Sequence, residues 1–407
     1  IVRPGTDVYL AIGVIKVLIE EGLVEGKVRH FEELANYVRG FSLDYLSKVS
    51  GVGIDDIRWL AEFYHEHKPL TLIGFALGRS QNGGDAIGMI SLIPALVGLE
   101  RGYYYSNSLG WGIDFDYLRG LHMAKSSRVI PMAEFGDYIE RGEVDIIYAW
   151  NENPVVTLPG GDKLIKAVRE GRVTLIVHDP YWSETAKIAN VVIPAPTFLE
   201  KNDVVYGYWH NYLVYNEPIK PPKGITEVDL MRKLTKELGI THPLLFEDPW
   251  DAVDKAIRPA GVTLEELRKS KFIEIKPRYL PTNEPDALPL PNPVEPGELN
   301  GDEIRLVFTS HPLYTNTQFR EVYGNLEPVV YTHDYEGIVS LENGFGSVRV
   351  RAIKDVNVPP GIALVYKSSL IDLEGKPINS ITGRVKGKYA GTPMLNGVRV
   401  RVRKLFQ

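Results

Sequence analysis

Cysteine is absent from this sequence of 407 residues, and its absence excludes several kinds of site. Without thiols, the sequence can form no disulfide, no thiolate-bound zinc site, no cysteine nucleophile and no cysteine-held iron–sulfur cluster. A surplus of basic charge is also missing, because the formal net charge is -6. Proteins that track the phosphates of nucleic acids usually carry such a surplus, so nucleic acid is not an expected partner.

Long apolar runs are scarce as well. The longest covers residues 87–98, and Pro94 interrupts it. A helix needs about 20 apolar residues to cross a bilayer, so the sequence predicts a protein without a transmembrane segment. Position 1 is Ile, followed by neither a basic start nor a signal-like apolar stretch, so any targeting signal would lie upstream. These features slightly favour a cytoplasmic location.

The length and the 44% hydrophobic content allow more than one core. Single cores usually stop growing at roughly 250 to 300 residues, so we expect two or three domains. Methionine is rare, and Gln81, Gln318 and Gln407 are the only glutamines, whereas there are 28 prolines. This composition fits a heat-adapted source.

Residues 1–68 have the sequence pattern of helices. Apolar residues recur there at helical spacing, which predicts one buried face for each helix. Thr6 or Asp7 can cap a helix that runs through Ile19, and Asp55 can cap a later one. No strand pattern is strong in this part of the sequence.

Residues 69–245 alternate between strand and helix patterns. Residues 70–76 form an apolar run typical of a strand, and a glycine-containing loop at 78–84 and a helix from Asp85 follow it. Further strands are predicted at 144–150, 173–177 and 191–193, and helices at 162–170 and 228–238. This alternation predicts an α/β fold with a parallel sheet and right-handed crossovers.

Residues 246–302 are rich in proline, which predicts a linker wrapped over the surface. Its prolines include Pro277, Pro281, Pro285, Pro289, Pro291, Pro293 and Pro296. From residue 303 onward, short apolar runs are separated by glycine and proline, a pattern that predicts a small β-barrel. Its strands are expected at 305–309, 329–332, 347–353, 362–366 and 398–403.

Two N-terminal segments contain residues suited to binding a nucleotide. Asp7 lies at a predicted helix start, where its carboxylate can satisfy backbone N–H groups or accept paired donors from guanine; capping is the commoner role. The loop at 77–84 lies between a strand and a helix, where free N–H groups favour a phosphate, and Arg79 can add a fork of donors. Such a loop is as often a plain connection.

Polar residues also follow the later strands, at what should be one carboxyl edge of the sheet. Asn153 follows the strand at 144–150, and His178 and Asp179 follow the next strand. This edge is where open α/β sheets bind ligands. The alternative is that Asn153 and Asp179 are turn residues that precede proline.

Two further residues near this edge have competing roles. Lys201 follows the third strand and can neutralise a phosphate, although an exposed and solvated lysine is the default at such a position. Asp229 can bind a ligand, but its spacing from Thr226 is also that of a capping box. For Asp229 the local role is at least as good an interpretation as ligand binding.

Residues 309–317 form a polar segment after the first barrel strand. Their hydroxyls, imidazole and amide suit hydrogen bonding to a polar heterocycle, and an ordinary polar turn is the alternative. His311 has no second ligand at recognisable spacing, so we assign no metal to it. The sequence identifies no catalytic residue.

The order of these motifs resembles a known family. The segments 3–7, 77–81 and 153–154, then 178–179, 191–194 and 200–201, are similar in order and spacing to those of molybdopterin oxidoreductases such as formate dehydrogenases, periplasmic nitrate reductases and dimethyl sulfoxide reductases. The resemblance continues through 309–317 to Asn379 and the closing strand, and so covers nearly the whole sequence. Together the motifs are much more specific than any one of them.

The resemblance implies a bis(molybdopterin guanine dinucleotide) cofactor with molybdenum or tungsten. It assigns one guanine nucleotide to Gly5, Thr6 and Asp7, and the second nucleotide to Asn153, His178, Asp179, Lys201 and Asp229. The residues assigned to a pterin or its phosphates are Leu77, Gly78, Arg79, Gln81, Thr309, Ser310, His311, Thr315, Asn316 and Thr317. Asn379 is assigned to a pterin edge. The implied domains are the helical end of a first cofactor-binding domain (1–68), a Rossmann-like dinucleotide domain (69–245), a linker (246–302) and a dinucleotide-binding β-barrel (303–407).

The sequence also departs from the family. Family members carry an iron–sulfur region and a metal-binding residue upstream of the segment that matches 3–7, and nothing here corresponds to them. The segment at 103–108 replaces a glycine- and asparagine-rich stretch, and 334–350 is shorter than usual. We therefore expect the C-terminal portion of an oxidoreductase of small molecules, either a fragment or one half of a split subunit. A missing half or partner subunit would supply the iron–sulfur cluster and the metal ligand.

The sequence supports three other functions less well. A scaffold subunit of a respiratory electron-transfer complex can keep the fold without the cofactor, but the polar residues gathered at one edge favour retained binding. An unrelated nucleotide-binding α/β enzyme is disfavoured, because no G-x-G-x-x-G follows a strand and no Walker lysine motif is present. A serine hydrolase is also disfavoured, because the sequence contains no G-x-S-x-G motif.

Overall fold

The computed structural model describes residues 1–100, 102–105, 111–123, 128–276, 285–369, 371–389 and 391–405. Residues 106–108 of the departing segment, and Pro277 and Pro281 of the predicted linker, lie outside this description. The N-terminal helices are α1 (Asp7–Glu20), α2 (Phe31–Arg39), α3 (Leu43–Ser50), α4 (Ile54–His67) and α5 (Gly83–Leu96). They form one apolar core in which α1 is surrounded by the other four helices.

The helical prediction for residues 1–68 is confirmed, but both predicted caps differ in detail. Thr6 occupies the N-cap position of α1, yet its hydroxyl donates to the Arg3 carbonyl (2.6 Å) and does not cap the helix. Helix α4 begins at Ile54 after Gly53, so Asp55 lies inside its first turn. An acidic residue in the first turn still interacts favourably with the helix dipole.

The strand predicted at 70–76 is mostly wrong. Only β1 (Thr71–Leu72) forms, and it pairs in parallel with β2 (Tyr103–Tyr104). After Gly74 the chain turns into a short 3-10 helix, Leu77–Arg79, because no further partner strand continues the pairing among the described residues. Only Ile73 of this run is buried, whereas Leu70 and Leu72 are exposed, and β1 does not join the larger parallel sheet.

The predicted α/β region contains a three-stranded parallel sheet. Its strands are β3 (Ile146–Trp150), β4 (Thr174–Asp179) and β5 (Val191–Pro194), in that spatial order. The helices before and between them are α6 (Phe115–Leu118), α7 (Phe135–Glu140), α8 (Pro154–Thr157), α9 (Gly161–Arg169) and α10 (Glu184–Ile188). Trp150 pairs with His178, so the carboxyl ends of β3 and β4 meet at one edge, as predicted.

The linker prediction is wrong for residues 246–276. An antiparallel sheet of β6 (Asp203–Val205), β7 (Tyr212–Asn216) and β8 (Phe272–Glu274) shares an apolar core with α12 (Pro249–Ile257) and α13 (Leu264–Ser270), and α11 (Glu227–Glu237) precedes them. Pro249 does not break structure, because it stands in the first turn of α12 behind the Asp248 cap, where proline is favoured. A high proline content therefore predicts a linker that is longer than the irregular segment in the structure.

Residues 285–302 do form an irregular segment that crosses the helical core. The Pro285 carbonyl accepts from the Arg29 amide (2.8 Å), and Ala287 is buried among the N-terminal helices. The segment is thus fastened to the helices by hydrogen bonds and packing, and in this respect it differs from a flexible linker.

The C-terminal region is a closed barrel, which confirms the β-barrel prediction. Its strands are β9 (Glu303–Thr309), β10 (Val329–Thr332), β11 (Gly337–Asn343), β12 (Gly346–Lys354), β13 (Ile362–Tyr366) and β14 (Val398–Lys404), closed in the order β10-β12-β11-β14-β9-β13; α14 (Arg320–Tyr323) lies between β9 and β10. Residues alternate along β12, where Val348 and Val350 face the core and Arg349 and Arg351 are exposed. Strand β11 is not among the strands predicted from the sequence. Within the described chain, no helix is long and apolar enough to cross a membrane.

Candidate functional site

Asn82 brings two of the predicted binding segments together. Its side chain is only 5% exposed, and its amide donates to the Gly5 carbonyl (2.9 Å) and to the Val294 carbonyl (2.8 Å). Its amide oxygen accepts from the Val294 N–H (2.9 Å). The segment of Gly5, Thr6 and Asp7 therefore lies beside the loop that contains Gln81. The resemblance assigns a binding role to the neighbouring Gln81 and none to Asn82.

Asp7 has a carboxylate without a side-chain partner among the described residues. It is the first residue of α1 and is half-buried. Burial raises the pKa of Asp7 above its ordinary value, and the backbone N–H of Asp7 offsets part of this rise. Thr6, in contrast, is buried and bonded to the Arg3 carbonyl, so its side chain is not presented to a ligand.

Asn396 fastens the predicted phosphate loop to the barrel. Its N–H donates to the Arg79 carbonyl (3.0 Å) and its side-chain amide to the Ala76 carbonyl (3.2 Å), while its amide oxygen accepts from Phe308 N–H (2.9 Å). In this loop Leu77, Gly78 and Arg79 are half-buried and Gln81 is exposed. No sequence motif points to Asn396, because its side-chain partners Phe308 and Ala76 are 88 and 320 residues away.

The polar segment 309–317 begins at this same place. Thr309 ends β9, and its carbonyl accepts from Lys367 N–H (2.9 Å). The His311 ring lies 4.9 Å from Tyr314 and 4.8 Å from Tyr366, and its Nδ1 accepts from Leu313 N–H (3.1 Å). Ser310, Thr315 and Asn316 are exposed, and Thr317 is half-buried. In the described part of the chain, no cluster of three or more His, Cys, Asp or Glu could hold a metal ion.

The far end of this segment reaches the parallel sheet through a buried ion pair. Arg320 binds both carboxylate oxygens of Glu184 (2.6 and 2.7 Å), and both side chains are only 12% exposed. Burial alone would raise the pKa of Glu184, but its bonds from Arg320 and Asn153 together lower it. The segment therefore links the two groups of predicted residues, one beside Arg79 and one at the sheet edge.

The side chains of Asn153 and His178, two residues that the resemblance assigns to the second nucleotide, make their hydrogen bonds inside the protein. Asn153 is buried; it donates to Glu184 (2.9 Å) and accepts from the N–H and hydroxyl of Thr185. His178 is fully buried, with Nδ1 2.8 Å from the Tyr148 hydroxyl and Nε2 2.9 Å from the Ile225 carbonyl. Both ring nitrogens are satisfied, and the His178 carbonyl accepts from Asn151 N–H (3.0 Å), so the His178 side chain has no polar atom left for a ligand.

The remaining residues at this edge also have protein partners. Asp179 accepts from Tyr181 N–H (2.8 Å) in the anticipated turn, and burial raises the pKa of Asp179. Lys201 is half-buried and paired with Glu227 (2.9 Å), so the default of a solvated lysine is wrong. Asp229 and Thr226 bond reciprocally at the start of α11, as the capping interpretation predicts. Asn379 donates to the Val156 carbonyl (2.6 Å), a contact between barrel and sheet.

A cavity of about 450 Å³ adjoins the loop at Gly78. Helix α5, the segment 285–302 and the chain around Tyr389 form its mainly apolar wall. Asp85 in this wall is buried and accepts from Lys388 (3.0 Å) and from the Tyr389 hydroxyl (2.8 Å). The cavity gives the loop an open side next to its fixed contacts with the barrel.

The sequence comparisons identify the family. The family model described as molybdopterin oxidoreductase matches residues 2–211, which is half of the chain. The match includes the N-terminal helices, the loop at Arg79 and the parallel sheet. The chain belongs to the molybdopterin oxidoreductase family.

Individual relatives are distant and longer. The probable oxidoreductase YoaE of Bacillus subtilis is 26% identical over 309 residues, which cover 69% of this chain and 45% of that protein. The alpha subunit of the F420-dependent formate dehydrogenase of Methanocaldococcus jannaschii is 26% identical over 306 residues, covering 65% and 45%. The dimethyl sulfoxide/trimethylamine N-oxide reductase of Rhodobacter capsulatus is 27% identical over 291 residues, covering 58% and 35%. The chain matches less than half the length of each.

A solved structure shares the fold. Acetylene hydratase from Pelobacter acetylenicus superposes with a TM-score of 0.78 at 16% identity, covering 99% of this chain and 70% of that one. At this identity the likeness concerns the fold alone. It extends through the barrel, beyond the residues matched by the family model.

Proposed function

We propose that this chain is the C-terminal, cofactor-binding portion of a bis(molybdopterin guanine dinucleotide) oxidoreductase that uses molybdenum or tungsten. Its reaction would be formate dehydrogenase-like, or the reduction of an oxyanion or sulfur compound. The observation that carries the proposal is the convergence of the segments at Gly5, Arg79 and Thr309. Asn82 and Asn396 hold them together although they are far apart in sequence.

Asp7 fits the guanine end of such a cofactor. Guanine presents two adjacent donors, N1–H and the 2-amino group, and a carboxylate has two oxygens that accept them. The Asp7 carboxylate is half-buried and lacks a side-chain partner in the described chain, and its raised pKa shows that burial opposes its charged form. Two donors from a base would stabilise that charge.

The loop at Arg79 and the segment 309–317 fit the polar middle of the cofactor. The Arg79 guanidinium forms no ion pair with any described carboxylate, so its donors remain available to phosphate. The exposed Ser310 and Thr315 hydroxyls can donate to or accept from a pterin. By lying against the loop through Asn396, the barrel excludes water from one side of it.

When bound, the metal of the cofactor would supply the two-electron redox chemistry. The contribution of this chain is to bind the nucleotide ends, to orient the pterin and to shield it. We propose that the α/β region within 69–245 acts as a Rossmann-like dinucleotide-binding domain, and that the barrel also binds the dinucleotide. A polypeptide region outside these residues, in the same chain or in a partner subunit, would supply the metal ligand and an iron–sulfur cluster.

One observation favours a second candidate, a cofactor-free scaffold subunit. The side chains of Asn153, His178, Lys201 and Asp229 are bonded within the protein. A site that had lost its second nucleotide would have the same internal bonds. Binding of the second nucleotide would then have to use backbone groups and Asp179.

Nucleotide titration of the purified chain distinguishes the candidates. If the chain binds the guanine end of the cofactor, calorimetry should show that GDP binds at least roughly tenfold more tightly than IDP. The reason is that IDP lacks the 2-amino donor. Asp7→Asn should abolish this preference. Asp55→Asn, an exposed aspartate in the first turn of α4, is the matched control and should leave it intact.

The scaffold candidate makes the opposite prediction. A folded chain that binds neither GDP nor IDP would support it. Absence of an oxidised-pterin fluorescence signal in protein purified with its natural neighbouring polypeptide would also support it, whereas stoichiometric pterin would support the oxidoreductase.

A further inference from the structure

Four asparagines in the sequence are followed directly by glycine: Asn82, Asn300, Asn343 and Asn396. In such a pair the backbone nitrogen of the glycine can attack the asparagine side chain, because glycine has no Cβ to hinder the approach. Asparagine is for this reason among the heat-sensitive residues of proteins. The chemical fate of each pair therefore depends on how firmly the fold holds its two residues.

The fold holds the two pairs that lie beside the loop at Arg79. The Asn82 side chain is bonded at both ends, and Gly83 N–H donates to the Ser80 carbonyl (3.0 Å). The Asn396 side chain is also bonded at both ends, and Gly397 N–H donates to a carbonyl of β9 (2.8 Å). In both pairs the attacking nitrogen and the side chain that it would attack are already hydrogen-bonded, so attack must first break these bonds.

Asn343 is held by a different set of contacts, at the tight turn between β11 and β12. It is half-buried, its amide donates to the Ile381 carbonyl (2.7 Å), and its amide oxygen accepts from Phe345 N–H (2.9 Å). The side chain is therefore fixed away from its own backbone.

Asn300 differs from the other three asparagines. It is exposed, and its side-chain amide makes one bond, to the exposed edge of the Glu303 carboxylate (3.2 Å). Among the residues that the structure describes, no group accepts from Gly301 N–H. A Cβ built on Gly301 would meet nothing within 4 Å, so the peptide between the two residues has room to rotate. Both reacting groups are thus available in the folded protein.

We propose that Asn300 is a site of spontaneous deamidation, where the folded chain modifies itself. The Gly301 nitrogen forms a bond to Cγ of Asn300, the bond from Cγ to Nδ2 breaks, and ammonia leaves with the former amide proton. Water then opens the resulting succinimide to aspartate or isoaspartate, without oxidation or reduction. No cofactor takes part, so the proposal is independent of the proposed function.

The modification changes the junction between the segment 285–302 and β9. Asn300 N–H and its side-chain amide both donate to the Glu303 carboxylate, at 3.0 and 3.2 Å. Deamidation to aspartate replaces the amide donor with a second carboxylate, and like charges repel. Arg399 lies 3.6 Å from the Glu303 carboxylate and offsets part of this repulsion. The isoaspartate product also lengthens the main chain by one carbon, so both products weaken the start of the barrel.

The test is peptide mass spectrometry of the folded full chain after incubation at mildly alkaline pH. Asn300 should lose ammonia at least about tenfold faster than Asn82 or Asn396, because attack at the latter two must first break several hydrogen bonds. In concentrated urea the rates at the four pairs should approach one another, because the unfolded pairs share the same chemistry. Equal rates in the folded chain, or a faster rate at Asn343, would overturn the proposal.

Two glycine variants test the attacking group. Gly301→Ala should slow deamidation of Asn300 severalfold, because the added methyl hinders the nitrogen. Gly74→Ala is the matched control; a Cβ meets nothing within 4 Å at either glycine, so both variants should fold, and the control should leave the rate at Asn300 unchanged. An unchanged rate in Gly301→Ala would contradict attack by Gly301.

A second readout tests the effect on the junction. Asn300→Asp reproduces the aspartate product and should lower the urea midpoint of unfolding below that of wild type. Asn300→Ser is its matched control, since it removes the amide without adding a charge, and it should lower the midpoint less. Equal midpoints in the two variants would overturn the repulsion assigned to the modified junction.

Discussion

The loop at Arg79 and the carboxyl edge of the parallel sheet carry similar polar residues, but they use them differently. At the loop, backbone groups and the two asparagines Asn82 and Asn396 make the structural bonds, and the Asp7 and Arg79 side chains have no side-chain partner in the described chain. At the sheet edge, side chains such as Asn153 and His178 make the structural bonds themselves.

This difference teaches that polar composition at a ligand-binding edge does not identify which side chains face the ligand. A buried polar group must find a partner, and in a folded chain the nearest partner is often another protein group. The Asp7 and Arg79 side chains are therefore expected to respond to substitution mainly through binding, and the groups that fix the loop backbone or the sheet edge mainly through stability. Four substitutions test this division.

Arg320→Met should have the largest effect on stability. It leaves the buried Glu184 carboxylate without its cation, and breaking such a pair typically costs about 3–5 kcal/mol of the free energy of unfolding. Arg349→Met, which removes a half-exposed arginine 3.0 Å from Glu374, should cost at most about 1 kcal/mol. Urea denaturation measures both. Similar losses in the two variants would contradict the structural role of the Glu184 pair.

The pH dependence of Arg320→Met gives a check on sign. In the wild type the pKa of Glu184 is lowered, so its contribution to stability is present above the ordinary glutamate pKa and is lost as pH falls through the folded value. Without Arg320, burial should raise this pKa, and the variant should then be least stable relative to wild type near neutral pH. The deficit should shrink as the pH falls below the ordinary value.

Gly83→Ala should cost roughly 2–3 kcal/mol, measured in the same way. A Cβ at Gly83 would overlap the Leu77 carbonyl oxygen, so here glycine is needed for packing of the loop. Gly74→Ala is the control, because a Cβ there meets nothing within 4 Å. If Gly83→Ala were as harmless as Gly74→Ala, the loop would be looser than its contacts indicate.

His178→Phe should cost about 2 kcal/mol, because it leaves the Tyr148 hydroxyl and the Ile225 carbonyl without a buried partner. GDP affinity should be unchanged, since the ring does not reach a ligand. Tyr148→Phe removes only one of these bonds and should cost less. A large loss of GDP affinity with little loss of stability would instead indicate that the His178 side chain contacts the ligand.

Thr226→Ala should have the smallest effect, about 1 kcal/mol, the usual loss for an N-cap. Ser42→Ala removes the comparable cap of α3, where Ser42 accepts from Tyr45 N–H (3.1 Å), and should cost about the same. Nucleotide affinity should change in neither variant. A specific loss of affinity in Thr226→Ala would restore the ligand-binding interpretation of Asp229.

Much of the architecture was predictable because it depends on local pattern. The helical spacing of α1, the short apolar strands β3, β4 and β5, and the alternation along β12 each appear within a few residues of sequence. The errors came where context decides. The apolar run at 70–76 had only a short partner, and Pro249 stood where a helix tolerates it.

The site was less predictable than the fold. Whether His178 faces a ligand depends on Tyr148 and Ile225, which are 30 and 47 residues away. Motif order predicted segments that the fold brings together, but partners distant in sequence decide which side chains remain free.

Hydrogen–deuterium exchange of the purified chain with and without GDP tests the central claim most directly. If the nucleotide is held at the seam between loop and barrel, GDP should slow exchange at the amides of 5–8, 77–82 and 309–317 together. Slowed exchange confined to the sheet edge, or no change in any of the three segments, would contradict the account.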